Sequence, residues 1–201
     1  MTVPAPSPSS AAPAKTSAAR TRLVAAAEEL FYAEGIHTVG IDRLIAAAGV
    51  TKATFYRHFP AKDDLVVAYL RGRDATIRAG VEQAAAALPG PGDALKAMVE
   101  GLGDEVCGDG FRGCPFINAA AEYPDPDHPV RRLVTEHRTW FRAAAAELLR
   151  AAGHPDPAAA AASLLLVRDG AMIGGYLDGA AARETLISTA AALLGGGGGE
   201  E

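Results

Sequence analysis

Apolar residues recur at three- and four-residue spacings along most of this chain, and glycine or proline closes almost every such run. Leu23, Ala27, Leu30 and Phe31 fall at i, i+4, i+7 and i+8. They make one stripe of a predicted helix over 18–34, with Gly35 as its stop. Ile41, Leu44, Ile45 and Ala48 form the next stripe, and Gly49 ends it. Thr51 is a good N-cap for a third helix. Pro60 stops that helix, because proline disfavours helical geometry at the residue before it. A fourth helix is predicted from Lys62 to about Leu88, with Leu65, Val66, Tyr69 and Leu70 facing one way.

Pro89-Gly90-Pro91-Gly92 then breaks the pattern. A fifth helix is expected with Asp93 as N-cap and Leu95, Met98, Val99, Leu102 and Val106 on one face. Gly108 to Gly113 reads as a loop, and Pro115 to Glu122 as a short helix opened by proline. Pro124 to Pro129 interrupts again. Helix 7 is predicted from Val130 to Ala152. Helix 8 opens on the Asp156-Pro157 pair and runs to about Asp178, and helix 9 spans about Ala182 to Leu194. The expected fold class is all-α with about nine helices, since Ala, Leu and Arg dominate and β-branched runs are scarce.

Composition changes this picture in one respect. The 201 residues carry a net charge of −5, which by itself argues against nucleic acid. From Lys15 to Ala75, however, nine bases face seven acids, a net of +2, and the remainder holds −7. A mildly basic head on an acidic body suits a DNA-binding unit joined to one that does not touch DNA. Two cysteines, Cys107 and Cys114, make no disulfide framework. No apolar run is expected to reach the roughly 18 residues of a membrane span. Met1 to Pro13 lacks a basic start and an apolar stretch, so 1–14 reads as a disordered arm rather than a secretory signal. The cytoplasm is the expected compartment. The tail over 195–201 is expected to be flexible.

The chemistry concentrates between Ile41 and Phe59. Two short helices joined by Gly49-Val50 make a helix-turn-helix, whose second helix enters the DNA major groove. Ile41, Leu44, Ile45, Val50 and Phe55 supply its inside. Thr51, Lys52, Ala53, Thr54, Tyr56, Arg57 and His58 remain for DNA. Thr51, Lys52, Tyr56 and, at the start of helix 4, Lys62 suit phosphate, which fixes register. Ala53, Thr54 and Arg57 suit base edges, which carry the sequence. His58 divides between packing and phosphate contact.

Residues from about Ala18 to Leu70, about a quarter of the chain, resemble the N-terminal domain of TetR-family transcriptional regulators. The likeness rests on Ala26-Ala27, Leu30-Phe31 and Gly35, on Ala47-Ala48-Gly49-Val50-Thr51-Lys52, and on Thr54-Phe55-Tyr56-Arg57-His58-Phe59-Pro60-Ala61-Lys62. It implies a TetR-like homodimer without enzymatic activity. A three-helix DNA-binding head (15–62) would be linked by helix 4 to a ligand-binding and dimerisation body (63–194). Such proteins usually repress until a small, largely apolar molecule releases them from a palindromic operator. Gly40 and Ala61 depart from the family pattern, which places hydroxyl caps there. Arg112-Gly113-Cys114-Pro115-Phe116-Ile117-Asn118-Ala119, with Glu122-Tyr123, is similar to the body of one TetR subgroup.

That resemblance places a ligand among helices 5 to 8, where Phe111, Cys114, Phe116, Ile117, Tyr123, Trp140, Phe141, Met172 and Tyr176 are candidates; each also fits as ordinary core. Helices 8 and 9 offer a dimer face of Leu166, Gly170, Ile173, Gly174, Leu177, Leu186, Ile187 and Leu193, or else close packing within one subunit. Cys107 and Cys114 admit a redox role or plain burial. Asp125, Asp127 and His128 match no metal-ligand spacing, and no metal, cofactor or membrane partner is expected. There is no Gly-Xaa-Ser-Xaa-Gly and no phosphate loop, so catalysis is not expected. A ligand-independent DNA-binding or partner-binding helical protein, or an activator with the same head, are the rival readings.

Overall fold

The computed structural model describes residues 17–195; the arm over 1–14 and residues 196–201 lie outside the described part. Nine helices and no strand occur among the described residues: α1 (Ala18–Glu34), α2 (Ile41–Ala48), α3 (Lys52–His58), α4 (Lys62–Ala87), α5 (Pro91–Val106), α6 (Pro115–Glu122), α7 (Pro129–Ala151), α8 (Pro157–Leu177) and α9 (Ala181–Gly195). Gly195, assigned to the tail, is thus the last residue of α9.

Two starts differ from expectation, for one reason. Proline fits the first helical position because its missing N–H would be unpaired there anyway. Pro91 therefore opens α5 with Gly90 as the cap, and Asp93 sits in the first turn instead of capping. Pro129 likewise opens α7, and His128 accepts a hydrogen bond from Val130 N as its cap.

Helices α1 to α3 pack on one another, and α1 also lies along α4. The body is built by α7 against α4, α5, α6 and α8, with α9 closing over α5 and α8. Two apolar clusters result. The first joins Leu23, Phe31, Leu44 and Phe55 of the head, through Leu65 and Leu70 of α4, to Val106, Phe116, Val134 and Met172 of the body. The second holds Leu95, Phe141, Leu149, Leu164 and Leu186. The boundary expected at residue 62 therefore does not coincide with a gap in the core.

Helix α8 corrects one expectation. Its 21 residues are long and apolar enough by composition to cross a membrane, yet they carry the ion-paired Arg168 and Asp169 and pack between α7 and α9. Two of its glycines have inward tasks. A Cβ on Gly175 would lie 2.1 Å from Val106 Cγ1 and 3.1 Å from Phe111, and one on Gly174 would lie 3.3 Å from Ala182. Gly174, assigned to the dimer face, thus lets α9 approach α8 within one protomer.

Gly175→Ala should lower unfolding stability by about 1–3 kcal/mol, the usual cost of overpacking, because valine has no flexible end to move aside. Chemical denaturation measures it, and an unchanged midpoint would remove the close α5–α8 approach from this account.

Candidate functional site

Helix α3 has seven residues, too few to persist alone in water. It is held by what it buries. Phe55 and Phe59 enter the core, their rings 6.2 Å apart, while the opposite side of α3 stays at the surface. Gly49 makes the approach: it ends α2 with φ +58°, the left-handed conformation that glycine adopts without strain. Thr51 then caps α3, its Oγ1 accepting from Thr54 N at 3.2 Å and lying 3.0 Å from Thr54 Oγ1.

The two departures at helix starts are resolved differently. Gly40 leaves α2 without a side-chain cap. At α4, Ala61 has no side-chain oxygen, but Asp64 reaches back to accept from Ala61 N at 2.9 Å. That is half of a capping box.

Thr51, Lys52, Ala53, Tyr56 and Arg57 are exposed together along α3. Thr54 and His58 are partly covered. Lys52 Nζ lies 3.7 Å from Asp42, an exposed pair that holds it weakly. Tyr56 rests edge-on against Phe55 and is 44% exposed. Arg57 makes no ion pair or hydrogen bond to any described residue. His58 Nε2 instead meets Ser17 Oγ at 3.1 Å, tying the end of α3 to the cap of α1. Lys62 is partly buried with its ammonium 5.8 Å from the Phe31 ring centre, and burial lowers its pKa against the opposing pull of Glu122 and Asp63.

Sequence reasoning missed a layer of fixing residues. Arg22 Nε donates to Ala48 O at 2.9 Å, at the carbonyl end of α2. Arg43 grips Glu34 through both nitrogens at 2.6 Å. Arg20 stacks 5.2 Å from the Phe59 ring centre. Arg43 is neutralised by an acid, and Arg20 and Arg22 are held against a ring and a helix end, which no composition count distinguishes.

A second set joins head to body. Glu122, at the end of α6, accepts from Ile36 N at 2.8 Å and His37 N at 2.5 Å. Tyr32 OH donates to Gly113 O at 3.0 Å and accepts from Arg112 N at 2.8 Å, and the Arg112 guanidinium donates to Ala33 O. Asn118 Nδ2 closes the turn onto Arg112 O at 2.9 Å, with Gly113 at φ +81°. Tyr123 OH donates to Asp63 Oδ1 at 2.8 Å. The motif from Arg112 to Tyr123 is therefore a bracket between the two halves.

The ligand candidates separate. Cys114, Ile117, Met172 and Tyr176 share a pocket of about 340 Å³ with Tyr32 and Arg112, between α1, α6 and α8. Phe111 lines another pocket beside α1 and α4. Phe116, Tyr123, Trp140 and Phe141 line neither, because they are used in packing. Phe116 stacks on His137 at 3.7 Å, Arg78 lies over Trp140, and Arg168 over Phe141. The thiols differ as well: Cys107 is exposed, whereas Cys114 is buried and accepts from Arg168 Nη2 at 3.3 Å. No group of three His, Cys, Asp or Glu placed to hold a metal occurs among the described residues.

The dimer candidates separate too. Leu166, Ile173 and Leu177 are 71%, 50% and 69% exposed. With the exposed Gly170 they fall at i, i+4, i+7 and i+11 on one face of α8. Leu186 is 1% exposed within its own protomer, in the core with Leu95 and Leu164, and so is removed from that face. Ile187 packs partly against the same core, and Leu193 accepts from His154 through its carbonyl.

Two short helices joined at a left-handed glycine, the second capped and lying at the surface, have the geometry of a helix-turn-helix. Residues 23–69 match the family described as bacterial regulatory proteins, tetR family. The structure superposes on SCO4454, a TetR-family transcriptional regulator from Streptomyces coelicolor. The TM-score is 0.86 at 47% identity, over 90% of this chain and 96% of that one. Two related sequences are the HTH-type transcriptional regulator LmrA of Bacillus subtilis and the HTH-type transcriptional activator FasR of Mycolicibacterium smegmatis. LmrA is 26% identical over 67% of this chain and 72% of its own. FasR is 35% identical over 43% of this chain and 40% of its own. The chain belongs to the TetR family of DNA-binding transcriptional regulators. Members of this family bind DNA as dimers and are not enzymes.

One buried group has a titration consequence. His137 Nδ1 donates to Asp74 Oδ1 at 2.7 Å, which leaves Nε2 buried without a partner. Burial lowers its pKa; the Asp74 hydrogen bond opposes this, and Arg168 and Arg78 add to it. A folded-state value below the unfolded one, about 6.5, means that the unfolded chain takes up a proton first as the solution acidifies. Stability from this site is thus complete above about pH 6.5 and lost progressively below it. Denaturation at about pH 7.5 and about pH 5.5 should show an acid loss in the wild type that His137→Asn reduces; an equal loss in both would exclude His137 as its source.

Proposed function

We propose that the protein is a homodimeric repressor that a small, largely apolar ligand releases from a palindromic operator. The observation that carries the DNA half is the exposed row Thr51, Lys52, Ala53, Tyr56 and Arg57, with the partly covered Thr54 among them, on a helix whose other side is locked into the core. In this reading Thr51, Lys52 and Tyr56 hold phosphate, and Ala53, Thr54 and Arg57 read bases. The sequence suits Lys62 to phosphate too and leaves His58 between packing and phosphate contact. Their contacts to Phe31 and Ser17 make them positioning residues first.

The dimer half is supported by the apolar row Leu166, Gly170, Ile173 and Leu177, which finds no cover within the protomer. A row of this length facing water is unfavourable unless a second copy covers it. Release is supported by the 340 Å³ pocket beside Cys114, Ile117, Met172 and Tyr176, which lies in the size range of small-molecule sites. Its wall includes Tyr32 and Glu122, both part of the head-to-body bracket. A ligand favouring a shifted bracket would re-aim the two heads. It can do so only by as much as its affinities for the two arrangements differ. The redox alternative for Cys107 and Cys114 lacks a partner geometry, since one thiol is exposed and the other is engaged by Arg168. Activation is the second reading, favoured by the relatedness to FasR, which is named as an activator.

Selection of bound sequences from random DNA should return a palindrome with half-sites one helical turn apart, about 34–36 Å, or a multiple of it. An asymmetric single site would overturn the dimeric reading. Transcription from a promoter carrying that palindrome should rise when the protein is removed; a fall would make it an activator. On the selected site, Lys52→Ala should weaken specific and random DNA alike and lower the salt dependence by about one charge. Arg57→Ala should cost about 1–3 kcal/mol and relax preference at one base position. Equal loss on both DNAs would move Arg57 to the phosphate set. Ile173→Asp with Leu177→Asp should yield monomers by sedimentation with the head still folded, and dimers persisting in that variant would place the interface elsewhere.

A further inference from the structure

A pocket of about 380 Å³ lies between the head and the body, separate from the one proposed for the apolar ligand. α1 contributes Glu28 and Glu29, α4 contributes Tyr69 and Arg73, and α5 with the loop after it contributes Glu105, Asp109 and Phe111. Four carboxylates thus face one guanidinium. Arg73 straddles the pocket at 3.4 Å from Glu28 and 3.5 Å from Glu105, both longer than a good charge-assisted hydrogen bond. Glu29 and Asp109 have no ion pair among the described residues.

The second observation is on the inner wall. Tyr69 is 3% exposed, its ring set edge-on against Phe31 at 6.0 Å, and its hydroxyl makes no hydrogen bond to any described residue. The side chain is enclosed, but its hydroxyl is not among the fully buried unpaired atoms, so it opens onto the pocket that Tyr69 lines and is free to pair with what enters. Burial also holds the phenol in its neutral form, leaving both an acceptor and a donor at the back of the site.

We propose that this pocket binds a small organic cation, a protonated amine or amidine on an aromatic or alkyl body. Coulomb attraction to Glu28, Glu29, Glu105 and Asp109 exceeds the repulsion from Arg73, and it strengthens as the walls exclude water. N–H donors of the cation reach the carboxylates and the Tyr69 oxygen. The apolar body lies against Phe111, which lines the same pocket. Anions are repelled, and a neutral apolar molecule would strip water from carboxylates without replacing it. A metal ion is disfavoured because the carboxylates do not converge on one point. The site does not depend on the repressor reading. Its walls belong to α1 and α4 on one side and α5 with its loop on the other, so an occupant displacing Arg73 loosens one tie between head and body.

Isothermal titration of the full chain with 4-phenylbutylamine, 4-phenylbutan-1-ol and 4-phenylbutanoate tests this, since the three share a body and differ in charge. The amine is expected to bind, the alcohol about tenfold or more weaker, and the carboxylate not at all. Glu29→Gln and Glu105→Gln should each weaken the amine about threefold or more. Tyr69→Phe should weaken it without lowering the unfolding temperature, because that hydroxyl has no internal bond to lose. Equal binding of amine and alcohol, no amine binding up to about 10 mM, or wild-type affinity in all three variants would overturn the proposal.

Discussion

The carboxylate of Glu122 takes up two backbone N–H groups, of Ile36 and His37, in the loop that turns from α1 into α2. Hydrogen bonds to a charged acceptor contribute about 1.5–3 kcal/mol each, more than neutral ones. Their position matters more than their strength. The loop sets the direction of α2, and α2 sets α3. A residue of the body thereby fixes the aim of the exposed helix α3. Tyr32 and Arg112 repeat the connection one turn away, and Tyr123 with His128 repeat it at Asp63. Any motion of α6 must break or carry these bonds, so the arrangement of the body cannot change without the head registering it.

The head shows how a modest excess of charge is divided between structure and function. Arg20, Arg22, Arg43 and Arg73 are engaged with a ring, a helix end or acids, and Lys62 lies over Phe31. Lys52 and Arg57 remain on the exposed side of α3. In the proposed reading the acidic body keeps the molecule from lying broadside on phosphate and α3 is the surface of approach.

The helices were legible because helix periodicity, glycine stops and proline starts are local. The residues from Gly49 to Phe59 were legible for the same reason, since a turn glycine, a Thr cap and two buried phenylalanines within eleven residues specify which side faces out. The body was legible as helices but not as surfaces. Leu186 and Leu177 look alike in the sequence, yet one is core and the other is among the most exposed apolar residues. Gly170 and Gly174 share a helix face by spacing, yet a Cβ on Gly174 would meet Ala182, while one on Gly170 would meet open space. Phe116 and Trp140 looked equally suited to a ligand, until the ion-paired cluster around His137 and Arg168 occupied them.

What the sequence determined alone was the set of helices and the outward side of α3, because hydrogen bonds four residues apart and adjacent side chains decide both. What the tertiary structure decided was which apolar residues remain free and which charges are already partnered. Those properties depend on contacts between residues such as Tyr32 and Gly113, or Cys114 and Arg168, that lie 81 and 54 positions apart. No periodicity carries information over that distance, since it is the packing of one helix on another that brings such pairs together.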